Sequence, residues 1–219
     1  MEYKLIINLK AYKESTLKNA IKIAKICKKL EKEAKKKNVE IILCPQLVDL
    51  KDTINENISV YSQHIDSYEY GAHTGHSVVS LISDLKAKGT LISHSENILS
   101  LKEIEKRIII AKKNNLKTCV CARNAITAEK IAKLKPDFIA VEPKELIGGD
   151  ISISTAKPQL ISKSLKAVGK IPLLVGAGVK NGEDVRKSIE LGAKGILVAS
   201  GVAKAKNPEK AILELLSGF

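Results

Sequence analysis

Short runs of consecutive apolar residues recur along the chain, and longer stretches with helical spacing of apolar and charged positions separate them. Eight runs read as strands: Lys4–Asn8, Glu40–Cys44, Ser59–Gln63, Thr90–Ser93, Lys117–Cys121, Phe138–Val141, Pro172–Val175 and Gly195–Val198. Their apolar positions are continuous rather than alternate, the pattern of parallel strands covered on both faces. A strand-plus-helix unit returns roughly every 27 residues, a period typical of stacked βα units.

The punctuation agrees. Asn207-Pro208-Glu209 places a cap, a proline at the first helical position and an acid in the first turn. Asn181-Gly182-Glu183-Asp184 does the same without proline. Gly89, Gly169 and Gly192 are expected as left-handed residues that stop helices. In the first helix Leu17, Ile21, Ala24 and Leu30 are expected to face inward. After the second strand, Val48 to Ile54 offers only about two turns. Eight parallel strands with helical crossovers close into a (β/α)8 barrel, since closure removes sheet edges. The alternative is an open doubly wound sheet. It usually carries a glycine-rich first βα turn, whereas this turn reads Asn8-Leu9-Lys10-Ala11-Tyr12.

The chain has 219 residues, 44% of them hydrophobic, so one barrel domain over residues 1–219 is expected. No apolar run approaches the ~20 residues of a membrane span. Met1-Glu2-Tyr3-Lys4 enters a strand at once without the marks of a signal or transit segment, so a cytoplasmic protein with no membrane partner is expected. Cys27, Cys44, Cys119 and Cys121 form no C-x-x-C pair and are expected reduced. Cys119 and Cys121 are expected on opposite faces of the fifth strand and without a redox part. His73 and His76 stand three apart with no nearby ligand to complete a metal site, and no metal or cofactor is expected. The net charge of +13 comes almost wholly from lysines mixed with Glu, aromatics are 3%, and only Arg107, Arg123 and Arg186 are arginines. A nucleic-acid surface would cluster basic residues with stacking aromatics, so a solvated surface that also attracts small anions is the better reading.

In such a barrel the chemistry sits at the C-terminal strand ends. Asn8 and Lys10 follow the first strand, His94 and Glu96 the fourth, and Glu142 the sixth. A carboxylate at a strand tip is partly desolvated, which makes it a usable base near neutral pH. Gly176-Ala177-Gly178 and Ala199-Ser200-Gly201 allow backbone N–H groups to converge on a phosphate. These last two turns alone would also suit a sugar-phosphate epimerase or synthase.

The segments N-L-K, S-H-S-E-N, A-V-E-P-K-E-L-I-G-G-D, L-V-G-A-G-V and L-V-A-S-G run in order along the full length. Together they resemble the triosephosphate isomerase family, most closely its short archaeal-type members. The resemblance implies a small phosphorylated triose as substrate, in glycolysis and gluconeogenesis. Glu142 would be the base, His94 a neutral electrophile and Lys10 the cationic partner. The implied tuning is a helix after the fourth strand holding the His94 pKa down, a case for which this family is itself the standard example. The substrate would be bound by Asn8, Leu9 and Lys10, and its phosphate by Ile147, Gly178, Ala199 and Ser200, with Glu96 supporting. Residues Pro143–Asp150 would form a lid. Glu145 stands where longer members carry an aromatic, and the turn after the seventh strand lacks their serine. The shortened chain implies a homotetramer rather than a dimer.

Overall fold

The computed structural model describes residues 2–146 and 152–219. Eight parallel strands close into a barrel in chain order. They are β1 Tyr3–Asn8, β2 Val39–Cys44, β3 Ser59–Ser62, β4 Gly89–Ile92, β5 Lys117–Ala122, β6 Phe138–Val141, β7 Leu173–Gly176 and β8 Gly195–Val198. The ring closes where Lys4 to Ile7 pair with Gly195 to Val198. Helices α1 Lys18–Lys36, α2 Leu50–Ile54, α3 Val79–Asp84, α4 Leu101–Lys113 and α5 Ala125–Ala132 follow the first five strands. After β6 come α6 Ile153–Ala156 and α7 Pro158–Val168; α8 Gly182–Glu190 follows β7; α9 Ser200–Ala203 and α10 Pro208–Leu216 follow β8. None of the described helices is long and apolar enough to cross a membrane.

The continuous apolar strand pattern has a direct cause. Successive side chains alternate between two buried environments. Ile6, Ile42, Tyr61, Leu91, Phe138, Leu174 and Leu197 fill the barrel interior. Leu5, Ile7, Leu43, Val60, Val120, Ile139 and Leu173 pack between barrel and helices. The caps work as expected, since Asn181 accepts from the Asp184 N–H and Asn207 from the Lys210 N–H.

Three expectations are corrected. In the first helix Ala24 and Leu30 face inward as expected, but Ile21 is only half-buried and Leu17 precedes the helix at its N-cap with φ +54°. Ala20, Ile23, Ala24, Cys27, Leu30 and Ala34 face the core, while Leu17 is exposed and Ile21 lies beside lysines on the outer surface. Leu17 leaves the inward stripe because its left-handed backbone precedes the first helical turn, so helical spacing does not extend to it. Gly169 and Gly192 are left-handed, but Gly89 instead opens β4. A Cβ there would lie 2.5 Å from the Lys117 carbonyl oxygen. The left-handed residue before it is Lys86. Finally, Cys119 and Cys121 share a face, since residues two apart on a strand point the same way. Both lie in the barrel interior, unpaired, and burial raises both thiol pKa values.

Candidate active site

β1 delivers Asn8 to the barrel mouth, and the chain then turns sharply. Lys10 has φ +50°, a left-handed conformation that a lysine adopts only when its surroundings fix it. Three side chains do so. The Asn8 Oδ1 accepts from the Lys10 N–H at 3.0 Å. Gln63, just past the end of β3, donates through Nε2 to the Lys10 and Cys44 carbonyls, each at 3.0 Å. Ser15 Oγ donates to the Leu9 carbonyl at 2.8 Å. The Lys10 ammonium thereby reaches the mouth, where it pairs with Glu96 at 2.7 Å.

β4 ends at Ile92, and Ser93 leaves the strand with φ +57°. Its hydroxyl accepts from the Leu99 N–H at 3.1 Å, which ties down the loop carrying His94. The Glu96 backbone N–H donates to His94 Nδ1 at 3.3 Å. This contact suits the tautomer in which Nδ1 accepts and Nε2 carries the proton, with the Glu96 carboxylate 3.6 Å from the same Nδ1. A turn supplies this N–H, with the Asn97 N–H bonded back to the His94 carbonyl at 2.8 Å. The expected helix, α4, begins only at Leu101.

Glu142 follows β6 directly, its N–H bonded to the Ala122 carbonyl of β5 at 2.9 Å. The residue is 6% exposed, and Oε2 has no hydrogen-bond partner. That oxygen stands 3.7 Å from His94 Nε2, too far for a bond and aimed at the same space. Burial pushes the Glu142 pKa above the ordinary carboxylate range, and His94, Cys121 and Lys10 nearby offset part of the rise. Gly176 at the end of β7 makes room for it, since a Cβ there would lie 2.5 Å from Glu142 Cγ.

These groups line one cavity of about 230 Å³, which Gly178, Ala199, Ser200 and Gly201 close on the far side. Ala177 and Gly178 both have φ +72°, which turns the backbone toward the cavity. Among the described residues, the N–H groups of Gly178, Ser200 and Gly201 have no acceptor. Unpaired N–H groups at a left-handed turn and a helix start suit an anion.

Asn8, Lys10, His94, Glu96, Glu142, Gly178, Ala199 and Ser200 thus come together as expected. Leu9 does not. Its side chain is fully buried in the layer between barrel and helices, because it alternates with its neighbours along the chain. Ile147 and the lid segment from 147 to 150 lie outside the described residues. His73 and His76 lie far along the loop after β3, where both rings contact Tyr68. The roles of Gln63 and Ser15, and the room that Gly176 leaves for Glu142, escaped the sequence reading. Gln63 was visible as a polar residue at a strand tip; Ser15 acts on a backbone carbonyl and Gly176 on the distant Glu142 side chain, and neither role has a local signature.

The sequence profile described as triosephosphate isomerase matches residues 4–217. A protein named triosephosphate isomerase from Methanocaldococcus jannaschii is 46% identical over 217 residues, covering 97% of this chain and 98% of the relative. One of the same name from Methanothermus fervidus is 42% identical over 218 residues, covering 97% of each. A third, from Methanobrevibacter smithii, is 39% identical over 219 residues, again covering 97% of each.

Proposed function

The chain belongs to the triosephosphate isomerase family, and from that premise we propose how its own residues interconvert dihydroxyacetone phosphate and glyceraldehyde 3-phosphate. The observation that carries the reading is the pairing of a buried, incompletely bonded carboxylate with an imidazole across one cavity. Glu142 removes a proton from the carbon next to the carbonyl, and returns it to the neighbouring carbon. Its raised pKa brings base strength closer to what carbon acids require. The enediolate that forms is stabilised by the His94 Nε2–H and the Lys10 charge, groups fixed before the substrate arrives. A neutral imidazole suits this task because it gives its Nε2 proton to the oxygen of the former carbonyl and takes up the hydroxyl proton of the neighbouring oxygen, so the carbonyl moves by one carbon and the ring ends neutral.

The phosphate is held by the N–H groups of Gly178, Ser200 and Gly201, beside Ala199. Asn8 and Glu96 position Lys10. The segment Pro143–Asp150 is proposed as a lid, with Ile147 over the phosphate. Excluding water strengthens the electrostatic contacts and keeps the enediolate from shedding phosphate. Neither a metal nor a cofactor enters this mechanism. Cytoplasmic work in glycolysis and gluconeogenesis is part of the same proposal, as is a homotetramer.

Glu142→Asp tests the base assignment. Shortening the side chain by one methylene withdraws the carboxylate by about 1 Å, and a misplacement of that size costs on the order of 100-fold in turnover. A coupled isomerase assay should show that loss with KM little changed. Turnover equal to the parent's would remove Glu142 from its role.

A further inference from the structure

A second cavity, of about 700 Å³, opens at the opposite end of the barrel, on the N-terminal ends of the strands. Strands of four to six residues separate it from the mouth, a length of roughly 13–20 Å at ~3.3 Å per residue.

Two hydroxyls in its wall lack partners. Ser59 and Tyr61 stand two apart on β3 and so share a face. Ser59 Oγ is buried with no hydrogen bond. Tyr61 is 3% exposed, and among the described residues its hydroxyl makes no hydrogen bond. The absence of a side chain at Gly89 is what admits the ring, since a Cβ there would lie 2.7 Å from Tyr61 Cζ. Buried polar groups are ordinarily paired, so the unpaired Ser59 Oγ, beside a Tyr61 hydroxyl that opens on the same cavity, marks a place for a bound partner.

The charges around them indicate its chemistry. Lys86 and Lys88, between α3 and β4, line the cavity and make no ion pair among the described residues. The carboxylates there are already engaged: Glu40 by Lys4 at 2.6 Å, and Glu31 by Lys28 at 3.0 Å. A cation would find no free carboxylate, whereas the two exposed ammonium groups at the rim are open to an anion. An anion with several oxygens meets both the charge and the hydroxyls.

We propose that this floor binds an oxyanion of the phosphate class, separately from the grip at the mouth. Lys86 and Lys88 supply charge, and Tyr61 and Ser59 donate hydrogen bonds. The proposal does not depend on the isomerase mechanism.

The test is amide-resolved NMR of the full chain, titrated with inorganic phosphate and, separately, with methyl phosphate. Amides at Ser59, Tyr61, Gly89 and Lys117 should shift along their own binding curve, distinct from that of Gly178, Ser200 and Gly201. The double variant Lys86→Ala with Lys88→Ala should weaken the floor curve about tenfold, on removing two charge-assisted contacts. Tyr61→Phe should weaken it about threefold, the size of one hydrogen bond. Isomerase turnover should not change in the lysine variant, whose exposed positions keep the test independent of folding. Tighter floor binding of methyl phosphate identifies a phosphate ester as the ligand class; tighter binding of phosphate identifies the free anion. Shifts confined to the mouth, or a lysine double variant that titrates like the parent, overturn the proposal.

Discussion

At Glu142 the requirements of catalysis and stability pull in opposite directions. The buried carboxylate has an oxygen with no partner, and burial raises its pKa in the folded chain. An acid whose folded pKa lies above its unfolded value binds more protons folded than unfolded between the two. Stability therefore falls as pH rises through that window, and the full cost applies above the folded pKa. Glu142→Gln removes the titration. The variant should be inactive, yet melt about 2–4 °C above the parent at mildly alkaline pH, a shift equivalent to ~1 kcal/mol. The difference should shrink as pH falls below the unfolded carboxylate range. Thermal melts across that range decide it; a gap that ignores pH would mean the carboxylate is not the source. Glu142, His94 and Lys10 were legible in the sequence as polar residues at or just past strand ends, and the family resemblance supplied the roles expected of them. The group facing the His94 ring is a turn N–H from Glu96 at 3.3 Å, and not the start of the helix that the sequence suggests.

The first βα loop acts as an element rather than as a set of residues. Its left-handed Lys10 is held by Asn8 from β1, by Gln63 from beyond β3 and by Ser15 from the loop itself. Gln63 is half-buried and joins Lys10 to Cys44, so it locks the first loop to β2 as well. Gln63→Met keeps the length and removes both donors. We expect kcat/KM to fall about tenfold, or ~1.4 kcal/mol of transition-state stabilisation, with a folded protein and a modest loss of Tm. Steady-state kinetics beside a melting curve separates the two effects. Unchanged kcat/KM would make Gln63 a structural clasp only. No local pattern could have disclosed this role, because its partners lie 53 and 19 positions away and are backbone carbonyls.

At the scale of the molecule, the surface is uneven. Leu17, Leu47 and Val48 are exposed on the first two βα loops, which the Leu17 N–H joins through Asp49 at 3.0 Å. Tyr68 and Tyr70 are exposed on the third. A separate set, Ile98, Leu101, Ile109 and Ile126, is exposed along α4, the loop before it and the start of α5. Exposed apolar residues in separate regions are compatible with the proposed tetramer, which needs two kinds of two-fold contact. Light scattering after size exclusion should give about 95 kDa, four times 23.8 kDa. Ile109→Glu with Ile126→Glu should halve that mass and leave dimers. A parent that elutes as a dimer or monomer removes the proposal.

The sequence by itself determined the barrel. Continuous apolar strands, capped helices and a regular period are local consequences of burial on both faces and of backbone hydrogen bonding, and they survive reading one segment at a time. It also placed Glu142, His94 and Lys10 together, because strand order carries each strand tip to a common mouth. Which face of α1 packs, why Gly89 and Gly176 lack side chains, and how Lys10 is held were decided only in the folded chain. Each depends on a distance between residues far apart in sequence: Ala20 and Ala24 against the barrel, Tyr61 against Gly89, Glu142 against Gly176. Close packing is a property of the space between elements, and no single element's sequence contains the shape of that space.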